Sequence, residues 1–114
     1  MTVLVAGSAS AEGAAAYRFG IEEARRRGED LIYFVLDGEH TRSDHLGDVA
    51  ERVEHPDERS QSPVGDLLDC AEREQVSAIT IGVRRRTAVA KLILGSLAQQ
   101  IIIEASVPVI CVKA

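Results

Sequence analysis

Two stretches decide the fold: Thr2-Val-Leu-Val-Ala-Gly7 and Leu31-Ile-Tyr-Phe-Val-Leu36. Each is an unbroken run of β-forming residues closed by a turn signal, Gly7-Ser8 in the first and Asp37-Gly38 in the second. Runs without polar alternation are the pattern of strands buried on both faces of a sheet. Between them Ala14, Tyr17, Ile21, Ala24 and Gly28 recur at spacings of 3, 4, 3 and 4, one continuous helix face. Ser8 or Ser10 caps that helix, Glu12 lies near its positive end, and Gly28 stops it. Glu22–Arg26 and Glu23–Arg27 form i,i+4 pairs on the other side, and Arg25–Arg27 read as a solvated helix end. Strand, helix and strand within about thirty-five residues make a βαβ unit, so the two strands run parallel.

Working outward, Ser62-Pro63 opens a second helix with Val64, Leu67, Leu68 and Ala71 as its buried stripe. Asp66, Asp69 and Glu72 form its solvated side. Residues 77–82, Ser-Ala-Ile-Thr-Ile-Gly, read as a strand ending at Gly82. Leu94, Ala98, Ile101, Ile102 and Ala105 mark the face of a last helix, and Pro108–Lys113 a last strand. The stretch 38–60 fits two patterns. Leu46, Val49, Ala50 and Val53 match a helix face, while Val49, Glu51, Val53 and His55 alternate as in a strand. The reading adopted is a short helix over about 43–50, then an edge strand near 51–55 ended by Pro56. The sum is one domain over residues 1–114. It is α/β and doubly wound, with a mostly parallel five-stranded sheet and helices on both faces.

Composition narrows the function. Apolar residues make up 46% and charged residues 27%, and 13 basic against 18 acidic groups leave a formal net charge of −5. An acidic chain is a poor nucleic-acid binder. The charge is unevenly spread: residues 1–28 carry +1, residues 29–74 carry −10 and residues 75–114 carry +4. No apolar run is long enough to span a bilayer, and the first residues do not resemble a signal peptide. Cytoplasmic placement is expected, with Cys70 and Cys111 as reduced, buried core residues. His40, His45 and His55 stand in no metal-ligand spacing and read as exposed loop residues. Neither a P-loop nor a dinucleotide fingerprint is present. No serine sits in a hydrolase elbow, and no general base is recognisable near the candidate site, so no catalytic residue is assigned.

That site lies where the fourth predicted strand ends. Ligands of open α/β sheets bind outside the carboxyl ends of the strands, at the point where the winding reverses. Gly82 leads into Arg84-Arg85-Arg86, Lys91 follows, and Gly95-Ser96 lies early in the last helical segment. Glycine admits close backbone approach, helix-start amides with a serine hydroxyl favour phosphate oxygens, and arginine binds them bidentately. Spacing alone leaves two readings standing, an anion site and a solvated basic loop.

The run from Ile81-Gly82 to Gly95-Ser96, followed by Ala98-Gln99 and Pro108-Val-Ile110, resembles the C-terminal half of universal stress proteins. The family signature is G-x2-G-x9-G-S/T, and Gly82 and Gly95-Ser96 fall at its separation. The opening strand and Gly7-Ser8 resemble the family's first strand and its Asp-Gly-Ser turn. The resemblance implies an adenine nucleotide, ATP or AMP, with Gly82, Gly95 and Ser96 at ribose and phosphates and Val35 lining the adenine pocket. Arg84, Arg85 and Arg86 would join them at the phosphates. Two positions depart from the pattern: Ala6 replaces the family's aspartate, and Arg85 replaces the second signature glycine. The connection after the second strand is abbreviated. The resemblance further implies a regulatory role in stress response, and a C2 homodimer through the C-terminal strand. The alternative for that strand is an edge shielded by the chain itself. The alternative function is a dimeric protein-interaction module whose nucleotide site has decayed.

Overall fold

The structure, a computed structural model, describes residues 1–86 and 91–114. Among the described residues there are six strands: β1 Thr2–Gly7, β2 Asp30–Val35, β3 Glu51–Glu54, β4 Val76–Arg86, β5 Lys91–Ile93 and β6 Val109–Lys113. Three α-helices join them: α1 Ala11–Arg27, α2 Pro63–Arg73 and α3 Ser96–Glu104. Five strands form a parallel sheet in the order β3-β2-β1-β4-β6. The predicted doubly wound α/β architecture is the one observed. The winding reverses between β1 and β4, which are neighbours although β2 and β3 intervene in the chain.

Alternation along β1 sorts the core into two layers. Val3 and Val5 pack under α1 with Ala16, Ile21, Ala24, Leu31 and Tyr33. Leu4 and Ala6 face the other layer, with Val64 and Leu67 of α2 and Ile101 of α3. Each fully buried Leu or Ile contributes roughly 1.5–3 kcal/mol of transfer free energy. Of the predicted α1 face Ile21 and Ala24 are buried as expected, but Ala14 and Gly28 are exposed, and Gly13, Ala16 and Gly20 complete the stripe because small residues let the helix approach the sheet. A Cβ on Gly20 would lie 2.5 Å from Val5. Thr80, fully buried, offsets its desolvation by donating to the Ala16 carbonyl at 3.1 Å.

Several local expectations are corrected. The segment 43–50 holds only a 3-10 turn at Asp44–Leu46, capped by Ser43 and ended at Gly47 with φ of 56°. Leu46 and Val49 still reach the core, and β3 follows as the predicted edge strand. Glu23 is buried and not solvated; Arg27 donates to it at 2.8 Å and Arg26 also pairs with it. Arg25–Arg27 are exposed at the helix end as expected, and Arg25 in addition donates to the carbonyls of His45 and Leu46 at 2.5 and 3.1 Å. His40 is no exposed loop residue. It stacks on Tyr33 with ring centroids 3.9 Å apart and bonds Glu51 at 2.8 Å. Cys70 is buried as expected, but Cys111 is exposed, because β6 lies at the sheet edge. Ile102 faces solvent, and of the α3 residues only Ile101 is fully enclosed.

Candidate functional site

The carboxyl ends of β1 and β4 open into a cleft of about 450 Å³. Its walls come from four places: Ala6 at the end of β1 with Ser8, Ser10 and Glu12 at the start of α1; Leu36 and Asp37 after β2; Ile81, Gly82 and Arg84 on β4; and Gly95–Ala98 with Ile101 at and along α3. Backbone polarity divides these walls. The α1 start is satisfied, since the Ser10 hydroxyl accepts from Gly13 N–H at 3.0 Å and Glu12 adds negative charge there. The start of α3 is different. Its cap is Gly95, and among the described residues no side chain caps it and no acid lies in its first turn. Amides at a helix start without such partners, aligned with the positive end of the helix, attract an anion.

Two carboxylates stand in the same cleft, where the sequence showed no general base. Glu12 accepts from Arg84 Nε at 2.9 Å. The hydrogen bond from Arg84, assisted by Ser10, holds the Glu12 carboxyl below the usual range, so it stays ionised. Asp37 Oδ1 accepts from Ala9 N–H at 2.8 Å and ties the β1–α1 turn to the end of β2. Both groups are bound by the protein itself.

Five of the expected residues gather here: Ala6, Gly82, Arg84, Gly95 and Ser96. Val35 does not. Its side chain is buried in the α1 layer beside Tyr33, and the next residue, Leu36, takes the place in the cleft. A parity error of one residue along a strand sends a side chain to the opposite face. The Arg84–Arg86 segment is not a loop but the end of β4, where it pairs antiparallel with Lys91–Ile93. The Arg85 and Arg86 side chains and residues 87–90 lie outside the described residues, so their expected phosphate contacts are not assigned. Gly82 has a packing reason as well as a place in the wall: a Cβ there would lie 2.0 Å from the Glu12 carbonyl oxygen. Sequence reading passed over Glu12, Leu36 and Asp37 as site residues. The position of Asp37 directly after a parallel strand is the signal that could have found it.

A doubly wound parallel sheet with an open switch-point cleft fronted by a helix start defines an α/β ligand-binding architecture. The universal stress protein family model matches residues 42–113. A universal stress protein of Mycolicibacterium smegmatis is 35% identical over 97% of this chain and 96% of its own. The chain belongs to the universal stress protein family. A universal stress protein structure from Archaeoglobus fulgidus superposes with a TM-score of 0.71 at 26% identity, covering 99% of this chain and 93% of that one. Another structure from that organism, in complex with dAMP, gives 0.69 at 25% identity over 98% and 96%.

Proposed function

We propose that the chain binds an adenine nucleotide, ATP or AMP, in the cleft between β1, β4 and α3. The reading makes it a non-catalytic regulatory module of a cytoplasmic stress response. The observation that carries it is the α3 start at Gly95-Ser96 opening into the cleft at the switch point. The dAMP complex of the Archaeoglobus relative supports the ligand class. The phosphate lies against the α3 amides and the Ser96 hydroxyl, with Arg84 beside it. The apolar wall of Ala6, Leu36 and Ile101 takes the base. A binding role rather than a catalytic one fits the engagement of Glu12 and Asp37 in protein hydrogen bonds. Among the described residues no helix is long and apolar enough to cross a membrane. A homodimer through β6 completes the proposal.

Isothermal titration of the folded protein with AMP and ATP tests it. Heat with a stoichiometry near one per chain is expected, and no heat at millimolar nucleotide would overturn the reading. A second reading, a protein-interaction module without nucleotide, draws on the apolar exposure of Leu97, Ile102 and Ile103 along α3. It predicts that same silence together with an intact dimer.

A further inference from the structure

We propose that Glu12 is a specificity-determining residue of the cleft, which makes it discriminate against polyphosphates and favour a nucleoside monophosphate. The inference rests on the nucleotide reading above and adds which phosphate chain the site takes. Among the described residues the charged groups of the wall are Glu12, Asp37 and Arg84: two carboxylates and one guanidinium. The Arg84 guanidinium is therefore already met in the cleft by Glu12. Arg84 is largely exposed while Glu12 is mostly enclosed, so the flexible arginine comes to the fixed acid. Glu12 is held in place twice over. It stands in the first turn of α1, where the positive helix end favours a carboxylate. Its backbone also lies against Gly82 with no room for a Cβ between them.

A ligand phosphate entering this wall meets both partners of the pair. One phosphate seated on the α3 amides needs little of Arg84. Each additional phosphate that turns to Arg84 shares its guanidinium with Glu12 and also stands near a fixed negative charge. The penalty grows with ligand charge and is absent for a neutral nucleoside. Its size follows that of exposed ion pairs, which corresponds to roughly a three- to fivefold change in affinity. Screening reduces it as salt rises.

Titration of adenosine, AMP and ATP into the wild type and Glu12→Gln, without divalent metal and at low salt, tests the proposal. Glu12→Gln is expected to leave adenosine unchanged, to tighten AMP slightly, and to tighten ATP about three- to fivefold more than AMP. Arg84→Gln is expected to act oppositely, weakening ATP more than AMP, and serves if the Glu12 variant does not fold. In the wild type the AMP-over-ATP preference should shrink between 50 mM and about 500 mM salt. Equal changes for all three ligands would mean that Glu12 shapes the nucleoside part of the cleft, and weaker ATP binding by Glu12→Gln would mean that it only positions Arg84; either would overturn the selector role while leaving nucleotide binding intact. Silence from the wild type with every ligand would remove both.

Discussion

Gly82 shows how one residue serves packing and site together. Its place in the family signature suggests a ligand contact, yet its missing Cβ is also needed for α1 to approach the sheet, 2.0 Å being far inside any real contact. Gly82→Ala should therefore destabilise the fold by roughly 1–3 kcal/mol, read from the denaturant midpoint of the ligand-free protein. An unchanged midpoint would return Gly82 to a purely ligand-facing role. The Tyr17–Tyr33–His40–Glu51 cluster makes a related point. Tyr17 donates to Glu51 and accepts from Ser43 N–H at 3.1 Å, while His40 bonds the other Glu51 oxygen at 2.8 Å. Burial, and then the hydrogen bond to Glu51, push the Tyr17 hydroxyl well above its ordinary value. None of this was legible from 38–60 as sequence. A histidine in a polar stretch reads as solvated until the chain turns its ring back onto a tyrosine of the preceding strand.

At the scale of elements, the apolar runs were legible because strands buried on both faces admit few other readings. The β1–α1–β2 unit, α2, β4 through Gly82, and β6 all stand where the pattern puts them. The extension of β4 through Arg84–Arg86 was not legible. Beyond Val83 that strand leaves the parallel sheet and pairs with β5 alone, so no apolar sandwich imposes a hydrophobic pattern on it. The C-terminal edge can be read in detail. Ile79 N–H donates to the Pro108 carbonyl at 2.9 Å, and Ala114 N–H to the Val83 carbonyl at 3.2 Å. Even-numbered residues of β6 thus turn their backbone groups to β4, and Val109, Cys111 and Lys113 turn theirs outward, as parallel pairing requires. An unpaired edge of this kind accepts a second strand. Cys111→Pro removes an outward N–H and spares the bonds to β4. Light scattering at micromolar concentration should give a dimer for the wild type and a monomer for this variant, with the fold retained by circular dichroism. A monomeric wild type would contradict pairing through β6.

Over the whole molecule, the net charge of −5 conceals an arrangement that matters more than the total. The acidic middle of the chain supplies much of a second, smaller cleft of about 330 Å³ lined by Glu54, His55, Asp57, Asp66, Asp69 and Arg73 with Phe34. The switch-point cleft has the bare start of α3 instead. The two clefts share no lining residue, so their amides report separately on a ligand. The most direct measurement is amide chemical-shift mapping during titration with AMP. The account predicts saturable shifts at Ser96–Ala98, Ser8–Ser10 and Leu36–Asp37, with residues 54–57 and 66–73 unmoved. Shifts confined to 54–73, or no shifts at millimolar AMP, would contradict it.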